Sequence, residues 1–411
     1  MEKIKNIAPT NKYVVFVLLY IGFCIAYVDR VAINIALASI GKEFGLNPST
    51  MGVVLSTFFV GYAIMQIPGG WLADKFGSKV AIIGAMFVWS VFTLGTGYAW
   101  SLTSLIVIRF IFGVGEGPFA VSALKGIAEY FPKAERPKMT AGILSSNYVG
   151  SALAPLMVVP LLMYFGWRGM FHAFGILGIA FIAIYWFLVK PAIKEEQEAV
   201  VSGEQKVSMK ELLRMPLIWQ LTIAWFALSL VNKGLDSWMP TYLLTVRHMD
   251  LKSLGLLTPL PFVAAGIATA MGGWVMDRFF DGREKYLLVS AAILTAIFLY
   301  YMYTAETVIM VIAFQSLVYF FKSFVFASAL ALPMKLLPGS IAGSASGVIN
   351  MGGQSAGFVA PLLIGLMVTA FDGSYDAAFW FLIGAACLSA LTSLTIKNRK
   401  SSIISDKELV S

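Results

Sequence analysis

Twelve apolar stretches, each about as long as a lipid bilayer is thick, govern what this chain can become. They run approximately over 13–38, 50–72, 80–100, 101–124, 139–164, 170–190, 217–245, 254–277, 286–304, 306–332, 341–370 and 375–396. A helix needs roughly 20 apolar residues to cross about 30 Å of hydrocarbon, whereas a barrel strand needs about half that number. Lipid offers main-chain groups no hydrogen bonds, so a segment that crosses it must satisfy its own, and runs of this length do so as helices. Composition agrees: of 411 residues 59% are hydrophobic and 13% charged, with mean hydropathy +0.81. A water-soluble chain of this size needs more charge to cover its surface. The expected fold is all-α, a polytopic membrane protein with 12 transmembrane helices.

Lysine and arginine set the orientation. They collect in the N-terminal tail (Lys3, Lys5, Lys12), after the second stretch (Lys75, Lys79) and after the fourth (Lys133, Arg136, Lys138). They recur in the central segment (Lys190, Lys194, Lys206, Lys210, Arg214), after the eighth stretch (Arg278, Arg283, Lys285) and in the C-terminal tail (Lys397, Arg399, Lys400). The alternate loops are poor in them, except for Arg247 and Lys252 after the seventh stretch. Both termini are therefore expected on the cytoplasmic side of a cell (plasma or inner) membrane. These loops account for the net charge of +8. The basic residues line no aromatic-studded face, so no nucleic-acid partner is expected. Cys24 and Cys387 lie inside apolar stretches, and nothing has metal-ligand spacing. No metal or cofactor is expected, and no nucleophile–base set or phosphate loop points to an enzyme. The first stretch is too long for a cleaved leader and no small-residue cleavage site follows it, so it reads as a permanent span.

The segment from about 191 to 215 is the one long polar stretch. It divides the chain into halves at 1–190 and 216–397, with a tail at 398–411. The halves repeat each other. Gly69-Gly70-Trp71-Leu72-Ala73-Asp74-Lys75 closes the second stretch, and Gly272-Gly273-Trp274-Val275-Met276-Asp277-Arg278 closes the eighth. The fifth carries Gly142, Asn147, Gly150 and Pro155; the eleventh carries Gly347, Asn350, Gly357 and Pro361. Parallel repeats of this kind mark a large class of transporters.

On these residues the chain resembles the major facilitator superfamily, because Gly70-Trp71-Leu72-Ala73-Asp74-Lys75-Phe76-Gly77 is similar to its signature loop. Tyr27-Val28-Asp29-Arg30, together with Arg109 and Gly113-Val114-Gly115-Glu116-Gly117-Pro118, resembles the anion:cation symporter family within it. The nearest likeness is to galactonate-type sugar-acid:proton symporters. The resemblance implies two six-helix bundles and a proton-coupled symporter importing a small organic anion, a sugar acid such as a hexonate, hexuronate or aldarate. A monomer is expected, with the anion, protons and the lipid bilayer as its partners. A symporter of another carboxylate, such as an aromatic acid, is one alternative. A drug:proton antiporter of the same fold is another, but Gly150-Ser151-Ala152-Leu153-Ala154-Pro155 fits the paired-glycine motif of such exporters poorly. A receptor that binds without transporting would need a soluble signalling domain, for which the tails read as too short.

Charges inside the apolar stretches single out the site. Asp29 and Arg30 lie about 24 Å of helix beyond Tyr13, too far in to reach water. Each costs about 2.5–3.5 kcal/mol at a helix centre unless it faces a polar cavity or a partner. Arg109 lies about 12 Å along the fourth stretch and Glu116 about 10 Å further, so all four fall in one middle layer. Two structural ion pairs would explain them, but intramembrane charges are functional candidates by default. Arginine's planar fork matches a carboxylate. Acids held between desolvation and a neighbouring arginine have tunable proton affinity. The resemblance makes Asp29 and Glu116 the proton-coupling acids, Arg30 the anion anchor and Arg109 their charge partner.

Tyr27, Arg30 and Asn34 share one helix face, as do Tyr62 and Gln66. The resemblance places Tyr27 and Tyr62 at the ligand; an interhelical hydrogen bond is the plainer reading. Asn147 and Asn350 hold comparable places in the two halves, as ligand contacts or as helix glue. Lys233 has Asp236 a turn away, the spacing of a neutralised pair, whereas Lys322 has no obvious local partner. Lys322 either meets a second carboxylate of the substrate, favouring a diacid, or snorkels to an interface. Asp74 is expected to form a latch with basic residues near Arg136, or with a helix N-terminus of the other half. Asp277 repeats the device. Lys125 and Glu129 read as structure alone, and Pro240 as a bend or break in the seventh span.

Overall fold

A computed structural model describes residues 11–191, 212–337 and 339–396. Most of the expected linker, with Lys194, Lys206 and Lys210, lies outside the described residues, as do Lys3, Lys5, Lys397, Arg399, Lys400 and the tail at 398–411. Among the described residues every regular element is a helix. They are α1 (Lys12–Phe44), α2 (Pro48–Ile64), α3 (Gln66–Phe76), α4 (Ser78–Gly97), α5 (Leu102–Tyr130), α6 (Arg136–Leu188) and α7 (Pro216–Thr245). There follow α8 (Leu251–Leu257), α9 (Pro259–Phe279), α10 (Glu284–Thr304), α11 (Val308–Leu336), α12 (Gly339–Ala370) and α13 (Asp376–Leu394).

Among the described residues nine helical segments have the length and hydropathy to cross a membrane, and α2 with α3, bent by 42°, makes a tenth. The 53 residues of α6 amount to about 80 Å, enough for two crossings. Helix α7 is long enough but carries Asn232, Lys233 and Asp236 in its middle, which lowers its hydropathy. Twelve passes result.

The second apolar stretch differs from expectation: it is two helices, broken at Met65. The eighth is likewise divided at Thr258, with Pro259 opening α9. Pro240, by contrast, does not break α7, which runs on to Thr245. The fifth and sixth stretches join in α6 across Gly166, whose φ of 64° and ψ of 177° are non-helical. A positive φ suits glycine, which has no Cβ to clash.

The chain forms two compact units, Met1–Gly45 with Thr57–Val201 and Leu46–Ser56 with Ser202–Ser411. Residues 46–56 thus group with the second unit, although the sequence reading puts them in the first half. In the first unit α6 folds back on itself. Glu135, just before it, accepts Lys12 Nζ at 2.7 Å, and at its far end Tyr130 donates to Lys190 O at 2.5 Å. Its middle meets the opposite ends of the neighbouring helices. Trp167 Nε1 donates to Glu43 at 2.6 Å, and Arg168 reaches Glu43, Gly97 O and Ala99 O. In the second unit α7 packs on α12 and α13. Trp238 Nε1 donates to Pro361 O at 3.0 Å, and Ser389 Oγ to Ala224 O at 2.9 Å. Arg247, one of the exceptions to the loop charge pattern, donates from Nε to the Tyr242 hydroxyl at 2.7 Å.

Candidate functional site

Helix α1 extends about 26 Å before Asp29 and about 22 Å after it, so Asp29 and Arg30 sit at mid-depth. The first unit gathers the four expected charges there. Asp29, Arg109 and Glu116 are each only 2% exposed. Arg30 grips Glu116: Nε donates to Oε1 at 2.6 Å and Nη2 lies 2.5 Å from the same oxygen. Such charge-assisted bonds are about twice as strong as neutral ones, and the low dielectric of an apolar bundle strengthens them further. Asp29 is held differently. Thr93 on α4 donates its hydroxyl to Asp29 Oδ2 at 3.2 Å, while Oδ1 has no hydrogen-bond partner among the described residues. Arg109 is near enough to attract both carboxylates and to repel Arg30, and its Nε has no hydrogen-bond partner among the described residues.

Aromatic faces supply the rest of the arginines' surroundings. The Arg30 guanidinium carbon lies 4.6 Å from the Tyr62 ring, 4.9 Å from Tyr27 and 5.2 Å from Phe58. Arg109 lies 4.5 Å from Phe112 and 5.3 Å from that same Phe58. A ring face attracts a cation by about 0.5–2 kcal/mol, more where water is excluded. The rings thus hold the arginines in an apolar bundle without neutralising them.

Glycines explain how α2 brings Phe58 and Tyr62 so close. A Cβ on Gly113 of α5 would stand 2.2 Å from Phe58 O, and one on Gly61 of α2 would stand 2.2 Å from Phe110 O. The two backbones therefore touch at this crossing. The glycines between Arg109 and Glu116 admit another helix rather than open space. Gly150 does the same for α6, where a Cβ would lie 2.9 Å from Tyr27 Cβ.

The remaining candidates fall in several places. Asn147 is half-buried on α6, one turn from Gly150, with Oδ1 lacking a hydrogen-bond partner among the described residues. Asn34 is buried and Gln66 half-buried, whereas Asn350 on α12 is exposed. Asp74 pairs with Lys125 at 2.6 Å, not with a base near Arg136. Arg136 instead donates to the carbonyls of Ala128 (2.7 Å) and Phe131 (3.0 Å), capping the end of α5. A helix end leaves its last carbonyls unpaired, and a guanidinium satisfies two of them at once. Lys125, read from sequence as structure alone, is the actual partner of Asp74. Asp277 is exposed at the end of α9.

In the second unit Lys322, 7% exposed, does have a partner: Nζ donates to Asn232 Oδ1. Asp236, paired with Lys233 in the sequence reading, accepts the Tyr319 hydroxyl. Thr93, Phe58, Asn232 and Tyr319 are thus members of these clusters that the sequence reading missed. Phe58 is one helical turn from Tyr62, and Tyr319 one turn from Lys322, and that spacing was the available signal. Thr93 had none, being a neutral residue far along α4 from that helix's one charge, Lys79.

The model of the Major Facilitator Superfamily matches residues 19–361, with a second match over 248–409. The chain belongs to the major facilitator superfamily. Among its superfamily relatives the probable sulfoacetate transporter SauU of Cupriavidus necator is 31% identical over 406 residues, covering 93% of each chain. The D-galactonate transporter of Escherichia coli is 28% identical, covering 94% of this chain and 95% of its own. A superfamily fold is also found in the solved structure of a bacterial homologue of the human lysosomal transporter Spinster. Its TM-score is 0.82 at 18% identity, over 93% of this chain and 97% of that one. This superfamily member is a transporter rather than an enzyme.

Proposed function

We propose that the protein is a proton-coupled symporter that imports a small organic anion by alternating access, with sugar acids as the leading substrate class. The Arg30–Glu116 pair, buried at mid-depth beside Asp29 and Arg109, carries this reading. A mutually satisfied buried pair is stable, but removing one member leaves the other charge uncompensated, at a cost of about 3–5 kcal/mol. Protonating Glu116 does this reversibly. It releases Arg30, which then takes the carboxylate of the incoming anion. Deprotonation on the inner side lets Glu116 reclaim Arg30 and expel the anion. Asp29, held by Thr93 and facing Arg109, is the second proton site.

Tyr27 and Tyr62 line the Arg30 cation and stand to meet the bound anion, with Asn147 of the same unit as a further polar contact. Asp74, now with Lys125, and Asp277 are the gating acids, and Arg136 stiffens the end of α5 beside the first of them. The two bundles are residues 1–190 and 216–397, joined by 191–215. Both termini, including the tail 398–411, face the cytoplasm of a plasma or inner membrane, and the working unit is a monomer. Similarity to a sulfoacetate transporter and to a D-galactonate transporter supports an anionic substrate and extends the class from carboxylates to sulfonates.

The test is uptake into proteoliposomes under an imposed pH gradient, using hexonates, hexuronates, aldarates, sulfonates and aromatic acids. Accumulation of one acid that collapses with a protonophore is expected, and Asp29→Asn and Glu116→Gln should each abolish accumulation. If both variants still concentrate substrate, the proton assignment is wrong. If no acid enters, the import reading is wrong and the exporter alternative gains.

A further inference from the structure

The first unit buries a row of hydroxyls along α4. Ser90, Thr93 and Thr96 are at most 2% exposed, and their spacing of three puts them on one face of the helix. Gly97 completes the row. A Cβ there would stand 2.5 Å from His172 Nε2, so the imidazole on the second arm of α6 lies directly against the α4 backbone. Tyr98, just past α4, stacks on the same imidazole with ring centres 4.3 Å apart, and is itself exposed. The row therefore leads from the Asp29 carboxylate, held by Thr93 at 3.2 Å, to an exposed end of the unit.

Helix geometry sets the gap. Gly97 lies one turn beyond Thr93, and Cβ positions four residues apart on a helix are about 6 Å from each other. His172 Nε2 thus stands within about 9 Å of the Thr93 Cβ, a gap that Thr96 and one or two waters can bridge. Three buried atoms here have no hydrogen-bond partner among the described residues: Ser90 Oγ, Asp29 Oδ1 and His172 Nε2. Each buried orphan costs about 1–3 kcal/mol, whereas alanine or valine would pack the α4 face without that cost. A row of such atoms calls for a role beyond packing.

The neighbours of His172 do not fix its charge. Arg168, one turn earlier on α6, is bonded to Glu43 of α1 at 2.6 Å and to the carbonyls of Gly97 (2.9 Å) and Ala99 (2.7 Å). Its charge is therefore balanced, and Tyr98 presents a ring face. Imidazole is the side chain suited to taking up and releasing protons near neutral pH.

We propose that His172, Thr96 and Thr93 form a proton-delivery route through the first bundle, which loads Asp29 from the end of the unit that carries Tyr98. The imidazolium gives its Nε2 proton to the hydroxyl row. Each hydroxyl or water along the row gains one proton and passes one on, and Thr93 hands its own hydroxyl proton to Asp29 Oδ2. Asp29 ends protonated, His172 ends neutral, and a proton from water at the exposed end recharges the imidazole. Arg30, turned to Glu116, stands outside this route. The inference rests on Asp29 being a proton site, as proposed above, and adds the residues that feed it.

Uptake of labelled galactonate and sulfoacetate into proteoliposomes of the full chain tests the route. His172→Gln keeps a polar side chain of similar reach but cannot carry the proton, so the initial rate of proton-driven uptake should fall by about tenfold or more. Counterflow exchange at equal pH on both sides needs no net proton delivery and should stay within about twofold of the parent. Proton-driven uptake by the variant should also slow further in D2O, an effect that lost packing would not produce. Thr96→Val removes the middle hydroxyl at constant shape and should act in the same direction. Each variant is checked for monodispersity first, and Thr96→Val decides the matter if His172→Gln does not fold. An equal fall in counterflow marks these residues as packing alone and overturns the proposal, as does unchanged proton-driven uptake in the folded variants. If Asp29→Asn abolishes accumulation while His172→Gln and Thr96→Val leave it intact, the route fails and the proton site stands. If Asp29→Asn still accumulates substrate, or the parent accumulates no acid, the reading of Asp29 fails and this inference with it.

Discussion

The crossing of α2 and α5 sets the geometry of the charged site, and one methyl group tests that. In Gly113→Ala the new Cβ would stand 2.2 Å from Phe58 O and 2.9 Å from Tyr62 N. A comfortable C···O contact is about 3.3 Å, so the two backbones must part by about 1.1 Å at this point. Overpacking of this kind costs about 1–3 kcal/mol. At about 2–4 °C per kcal/mol for a unit of some 150–250 residues, the midpoint of thermal unfolding should drop by roughly 2–12 °C. The displacement also carries Phe58 and Tyr62 away from Arg30, whose guanidinium now lies 4.6 Å from the Tyr62 ring. Substrate affinity should therefore fall together with stability. Gly61→Ala strikes the same crossing from the other side, 2.2 Å from Phe110 O. Once one methyl has separated the helices, the second has less to disturb, so the double variant should be less destabilised than the sum of the singles. Thermal unfolding of purified protein and uptake kinetics for all four forms make the measurement. A Gly113→Ala midpoint within 1 °C of the parent with unchanged KM would refute the close-contact reasoning, and so would strict additivity.

Other expectations follow from single contacts. Arg30→Lys keeps the charge but loses the planar fork and its ring stacking, so KM for the transported anion should rise tenfold or more in uptake assays. Thr93→Val removes the hydroxyl that holds Asp29 Oδ2 at 3.2 Å. A hydrogen bond to a charged group is worth about 1.5–3 kcal/mol, so proton-driven uptake should slow by roughly tenfold or more, with Thr93→Ser restoring it. Lys125→Ala frees Asp74 but is mild in stability, because exposed ion pairs contribute about 0–1 kcal/mol. Its effect should appear instead as a changed accessibility of cysteines introduced at the two ends of the first unit.

The sequence announces a charge in lipid because it has no cheap explanation there, which is why Asp29, Arg30, Arg109 and Glu116 were legible without coordinates. Their depth along each helix followed from the rise per residue. What helical arithmetic does not give is the rotation of one helix against another. Arg30 meets Glu116 while Asp29 turns to Thr93, and nothing in either helix alone separates these neighbours. Asn232 was hidden for the same reason: it lies 90 residues from Lys322 and is neutral. Asp74 misled because its partner was expected among the bases near Arg136 while Lys125 read as structure alone, and Arg136 is drawn away by the bare carbonyls at the end of α5. The break at Met65 did leave a mark that the apolar pattern concealed: Pro68, in the first turn of α3, has no N–H to offer the Ile64 carbonyl one turn back.

The turn of α6 at Gly166 has a practical corollary. This hairpin connects its two passes through a single glycine, so it offers no slack main chain to accept foreign residues. An epitope, protease site or fluorescent reporter spliced in here would have to unwind one of its arms. The segment from Val246 to Asp250, between α7 and α8 in the second unit, is a connection of five residues rather than one, and a reporter is better placed there.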